Sequence, residues 1–219
     1  LTDAEIEILR LAYLSRDGLP GLARKQFNSC GIAQLRDIFT GIAKRLVHEK
    51  VDDFLKNKGV SCFSERNDDL LMWSHYGGRY KGFCLEFSTD YEPFNKVRKV
   101  EYSSIMPKID LMPMLLHDDF DQFINIFCTK SLSWGYEQEW RSFHNNAGTL
   151  FCYEGAALQG VYFGPDIDDQ SLEIICLILA GQSPSVKLWE GSRSTEEFKV
   201  NFKNFTYTSH IEAKRRELR

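Results

Sequence analysis

A chain of 219 residues, 43% hydrophobic and 26% charged, is long enough to bury a core and has the balance of a folded domain rather than a disordered one. Its net charge of −4, from 27 basic and 31 acidic side chains, argues against a dedicated duplex-binding surface, which needs a basic face to displace counterions. Six cysteines with neither a CxxC nor a Cys–His pair at ligand spacing point to a reducing cytoplasm without disulfides or a zinc site. No run approaches a membrane span or a signal peptide, and Leu1 stands where a complete chain would start with methionine, so the sequence reads as a candidate fragment.

In chain order, Thr2-Asp3-Ala4-Glu5 has the form of a capping box, and Ile6, Leu9 and Tyr13 follow at helical spacing. Residues 17–21 break that helix. A longer one is expected over 31–56, with Leu35, Ile38, Phe39, Ile42 and Leu46 as its apolar stripe. The period then changes. Strands are expected over 60–64, 82–88, 97–102, 160–163, 185–189 and 202–208, and a short turn of helix over Leu71, Met72 and Trp73 is capped from Asn67-Asp68-Asp69. Residues 139–144 and 149–153 read as a hairpin around Asn145-Asn146-Ala147-Gly148. A helix is expected from His117, with Asp118, Asp119 and Asp121 in its first turn, where the helix dipole accounts for them without a metal. Two more are expected over 172–179, stopped at Gly181, and over 211–219. The class is α+β: N-terminal helices over residues 1–58, then a mostly antiparallel or mixed sheet, interrupted by two helices, over 59–219 of a single domain.

Two stretches hold most of the chemistry. Leu70 to Phe87 packs Trp73, His75, Tyr76, Tyr80, Phe83 and Phe87 around Gly77, Gly78 and Gly82. Glycines let a backbone approach a ligand closely, and rings beside them suit stacking on a flat base or nicotinamide. Ser74 adds a hydroxyl, and Arg79 and Lys81 could meet a phosphate, although no GK[ST] ending makes this a P-loop. In the second stretch, Trp134 to Phe143, a strand would set Glu137, Glu139 and Arg141 on one face and turn Trp140 into the core. That face reads either as an exposed edge with a structural ion pair or as a carboxylate that steadies a cation or accepts a proton. Tyr136 lies beside it.

Met72-Trp73-Ser74-His75-Tyr76, Lys81-Gly82-Phe83-Cys84-Leu85-Glu86-Phe87 and Tyr136-Glu137-Gln138-Glu139-Trp140-Arg141, flanked by Cys62-Phe63-Ser64 and Val161-Tyr162-Phe163-Gly164, resemble a bacterial family catalogued as domain of unknown function twenty-nine seventy-one. The resemblance covers about Val60 to Gly164. Members of that family begin with a further strand and an Asn-Asp-Pro segment that this sequence lacks, so a preceding piece is expected to be missing or diverged.

A remoter likeness is to ADP-ribosyltransferases, whose Glu-x-Glu element Glu137-Gln138-Glu139 resembles. It implies NAD as substrate, no metal, Glu139 as the catalytic acid, Glu137 as the residue selecting the acceptor, and His75 on the ribose. It also implies Tyr76 or Trp73 stacked on nicotinamide, a protein or nucleic-acid acceptor, and a toxin or phage-defence setting. The other readings are a module that binds a nucleotide or single-stranded nucleic acid without turning it over, and a metal-independent nuclease or hydrolase using His75 with Glu139.

Overall fold

The computed structural model describes residues 1–18 and 20–216. Helices α1 (Asp3–Leu14), α2 (Gly21–Ser29) and α3 (Ile32–Asn57) lead into β1 (Gly59–Ser64), α4 (Leu70–His75), β2 (Phe83–Phe87), β3 (Arg98–Lys99) and β4 (Glu101–Ser103). Then come α5 (Leu111–His117), α6 (Gln122–Phe127), β5 (Thr129–Ser131), β6 (Glu139–His144), β7 (Leu158–Phe163), α7 (Asp169–Gln182), β8 (Lys187–Arg193), β9 (Val200–Phe205) and α8 (His210–Arg215). The α+β class and its helices-first order are thus observed. The chain divides by its contacts into two compact units: residues 1–59, 103–129 and 144–148, and residues 60–102, 130–143 and 149–216.

The first unit is helical. Thr2 caps α1 with both bonds of the capping box, and Ile6 and Leu9 meet Leu35 and Phe39 of α3 in a buried cluster. Leu35, Phe39, Ile42 and Leu46 of the stripe all pack inward, while Ile38 lies at its rim, 37% exposed. Helix α2 had no counterpart in the sequence reading: it starts on Pro20 with no side-chain cap, and tertiary packing holds it. Its Phe27 stacks on Tyr13 at 4.3 Å and meets Phe39 edge-on at 5.9 Å. The helix expected from His117 is corrected. His117 ends α5, Asp118 turns left-handed at φ 52°, and Asp119 accepts from the Asp121 N–H at 3.0 Å, so the acids form the turn ahead of α6. Pro113 is tolerated near the start of α5, where no intrahelical donor is needed.

The second unit is built on a mixed four-stranded sheet in the order β2-β7-β8-β9. β2–β7 and β8–β9 are antiparallel, while β7–β8 is parallel and joined through α7. Val161, Phe163, Cys176 and Val186 form the core under α7, and Trp73, Tyr162 and Val200 form a second cluster on the opposite side of β7. A small sheet, β1-β6-β3, carries the second stretch singled out in the sequence. With β1 and β3 on its two edges, β6 has no edge left for a hairpin partner, and residues 149–153 are not a strand. The strand expected over 97–102 splits into β3 and β4 around buried Val100, whose N–H donates to the Glu139 carbonyl at 2.9 Å. Helix α7 runs past Gly181 to Gln182, and of the helix expected over 211–219, residues 217–219 lie outside the described residues.

Candidate functional site

Helix α4 is short and firmly placed. The Asp69 carboxylate accepts from the Met72 N–H at 3.0 Å, and Trp73, 3% exposed, donates its indole N–H to the Asn67 carbonyl at 2.5 Å. A side chain at Gly77 would put Cβ 2.5 Å from the Trp73 ring, so glycine is required there. Trp73 is therefore a core residue packed against Tyr162 and Phe202, and its expected role as a stacking platform is corrected by its burial. Ser74 is half-buried, and His75 and Tyr76 are exposed at the helix end. Arg79 and Tyr80 follow in left-handed conformations, φ 55° and 70°. Arg79 and Lys81 are exposed on this turn, where Lys81 lowers the Asp166 carboxyl after the closer Arg193.

The two glutamates reach one place by different routes. Glu137 ends a 3₁₀ turn over residues 132–137, Gln138 is left-handed at φ 43°, and Glu139 opens β6. They do not share a strand face as the period of two suggested; both converge on Lys130 of β5. Glu137 pairs with Lys130 through Oε2 and accepts from the Tyr76 hydroxyl through Oε1 at 2.8 Å. Glu139 takes Lys130 on Oε2 at 3.2 Å and a two-pronged Arg141 pair, Nε to Oε1 at 2.7 Å and Nη2 to Oε2 at 3.0 Å. The Tyr102 hydroxyl accepts from the Glu139 N–H at 2.9 Å, and the Ser64 hydroxyl donates to the Glu137 carbonyl at 2.7 Å. Only 3% and 5% exposed, the glutamates are not the solvated edge that their pattern allowed. Two acids and two bases alternate, so the burial carries no net charge.

This arrangement sets the protonation states. Burial alone would raise the Glu139 carboxyl, but hydrogen bonds from Arg141, Cys62 and Lys130 outweigh it and hold the group at about 2. The Cys62 thiol is pushed up to about 11, first by desolvation of its sulfur, although the residue as a whole is exposed, and then by its bond to Glu139. Tyr76 is pushed up to about 12 by its bond to Glu137. Lys130 is held charged, its two glutamates overcoming its burial. At neutral pH the site thus holds an ionised Glu139, a protonated phenol and an unreactive thiol.

Above Glu137 lies a line of rings. His75 is 6.2 Å from Tyr76 and 6.3 Å from Tyr136, Tyr136 is 6.0 Å from Trp134, and the Lys130 ammonium sits 4.8 Å over the Trp134 ring. The structure therefore gathers His75, Tyr76, Tyr136, Glu137, Glu139 and Arg141. Trp73 stays in the core and Arg79 and Lys81 on the turn beyond it. Sequence reasoning missed Lys130, Tyr102 and Cys62. Lys130 sits seven residues before Glu137 in a segment with no periodic pattern, nothing local marks Tyr102, and Cys62 stands out only within Cys62-Phe63-Ser64, not as a partner of Glu139.

Below Tyr76 a cavity of about 730 Å³ opens, lined from Cys62 to Asn67, from Phe83 to Phe87, and by Trp140 and Tyr162. Trp140, expected in the core, is half-buried on this wall and donates to Glu65 at 2.7 Å. Glu65 also holds Lys99 at 2.7 Å, which accounts for a polar tip on an otherwise apolar ring.

No helix among the described residues is long and apolar enough to cross a membrane. Neither curated proteins nor solved structures give a match. One family model matches residues 72–142, a stretch that begins within α4, ends within β6 and takes in His75, Tyr76, Tyr102, Lys130, Tyr136, Glu137, Glu139 and Arg141. Over those residues the chain resembles the family described as "Protein of unknown function (DUF2971)".

Proposed function

We propose that the second unit is a nucleotide-dependent enzyme of the ADP-ribosyltransferase kind, taking NAD at the rings of His75, Tyr76, Tyr136 and Trp134. The observation that carries this reading is the bond between exposed Tyr76 and buried Glu137, beside a Glu139 whose carboxyl its cations hold low. Glu139, ionised and neutralised by Arg141 and Lys130, is unsuited to proton transfer and holds those cations in place. Glu137 draws the Tyr76 hydrogen and leaves the phenol oxygen able to face developing positive charge. Breaking the bond between nicotinamide and ribose creates such charge. The C–N bonding pair goes to the pyridinium nitrogen, which leaves as neutral nicotinamide, and its positive charge passes to the sugar carbon until an acceptor's lone pair forms the new bond and the acceptor's proton is released to water.

In this reading Glu139, with both oxygens engaged by Arg141 and Lys130, positions the cations. Glu137 acts through Tyr76. The phenol gives its hydrogen to Glu137, so its oxygen lone pairs are left to accept from a ribose hydroxyl. Incubation with labelled NAD, following nicotinamide release and label transfer, tests the reading. Release that disappears in Glu137→Gln and Tyr76→Phe supports it. NAD binding without release would leave a nucleotide-binding module, and no binding would remove the reading.

A further inference from the structure

The cavity beneath Tyr76 runs along a strand edge rather than over a sheet face. Side chains of consecutive strand residues point to opposite faces, yet Phe83, Cys84, Leu85, Glu86 and Phe87 of β2 all line it. A space that touches both faces reaches around the edge between them. Strand β2 pairs with β7 alone, so among the described residues its other edge carries N–H and C=O groups with no strand partner. Phe83 and Leu85 are 46% and 39% exposed there. The strand is only five residues long, carries Glu86 and shifts register between Glu86 and Phe87, yet Phe83 and Leu85 leave its first half an apolar, unpaired edge of the sort that proteins cover.

The walls limit what can cover it. Phe63, Phe94 and Trp140 supply apolar surface opposite β2, with Phe63 6.2 Å from Phe87 and 5.6 Å from Phe94. Three charged side chains line the space: Glu65, already held by Lys99 and Trp140, Arg66, paired with Asp68, and Glu86. Glu86 uses Oε2 to accept from the Tyr162 hydroxyl at 2.9 Å, which leaves its second oxygen for a cation. Burial first, and then Glu86, push the Cys84 thiol up to about 11, so this wall presents no thiolate nucleophile. Five strand residues span roughly 17 Å, the length of a short extended segment.

We propose that the free edge of β2 takes an extended segment of a partner protein as an added strand, its side chains alternating between aliphatic and basic. Main-chain hydrogen bonds to β2 supply the affinity, the aromatic wall takes the aliphatic side chains, and the second oxygen of Glu86 selects a basic one. A second copy of this chain fits less well, because its own β2 carries no basic side chain to meet Glu86. Tyr76 and Cys62 line this cavity as well as the site at Glu137 and Glu139, so peptide binding is read in the absence of NAD.

The test is fluorescence anisotropy with the whole chain and a blocked, labelled heptapeptide alternating valine with lysine. Saturable binding is expected. N-methylation of alternate peptide nitrogens should weaken it at least tenfold in one parity and little in the other, because only alternate N–H groups face β2. Glu86→Gln should weaken it severalfold, and a valine–glutamate peptide should not bind. Equal sensitivity in both parities, equal binding of the acidic peptide, or no binding would overturn the proposal. So would dimerisation of the chain that excludes the peptide.

Discussion

The Tyr76 hydroxyl donates to Glu137 Oε1 at 2.8 Å, tying a ring that is 62% exposed to a carboxylate that is 3% exposed. The bond joins the end of α4 to the turn before β6, two segments 61 residues apart in sequence. Removing the hydroxyl leaves Oε1 short of a donor in a buried place. Tyr76→Phe is expected to lower stability by about 1–3 kcal/mol, read by denaturant unfolding, while the far-UV spectrum stays unchanged. A loss below a few tenths would mean that the bond is idle.

Acid should find the site through Glu139. Its folded value of about 2 lies below the ordinary 4.5, so the stability it contributes is complete above pH 4.5 and is lost as pH falls toward 2. The melting temperature of the natural chain should therefore drop across that window. In Glu139→Gln the drop should be shallower, from a lower starting value at neutral pH, because Arg141 and Lys130 then lack their anion. Parallel curves for the two proteins would contradict the account.

Cys62 offers a chemical readout of the same carboxylate. With its thiol at about 11, thiolate is scarce at pH 8, and alkylation there should be slow despite the side chain's exposure. Glu139→Gln removes the neighbouring negative charge. Alkylation of Cys62, followed by peptide mass mapping, should then accelerate severalfold. An unchanged rate would separate Cys62 from Glu139.

Gly77 is fixed by space. The Cβ of Gly77→Ala would lie 2.5 Å from the Trp73 ring and 2.8 Å from its carbonyl. Overpacking of this kind costs about 1–3 kcal/mol, and here it would shift the ring under α4. Thermal unfolding with Trp fluorescence should report both the loss and the altered tryptophan environment.

The legible parts of this chain are those where one local rule decides. The capping box at Thr2, the stripe of α3 and the Asp69 cap of α4 follow from spacing alone. Where a partner decides, the sequence is silent or misleading. Helix α2 depends on Phe27 meeting Tyr13, and the missing hairpin depends on β1 and β3 occupying both edges of β6. Glu137 and Glu139 were visible as a pair, but a strand period placed them together for the wrong reason. A left-handed Gln138 and the distant Lys130 bring them together instead. Trp73 was misleading for a related cause: a ring beside glycines suggests an open face, whereas Gly77 is there to let that ring be buried.

The central claim, that the rings over Glu137 receive NAD, is tested most directly by calorimetric titration of NAD into the whole chain and into Tyr76→Phe and Glu137→Gln. The account predicts saturable binding to the natural chain, weakened at least tenfold in both variants while each remains folded. Absence of heat in the natural chain, or equal affinity in all three proteins, would contradict it.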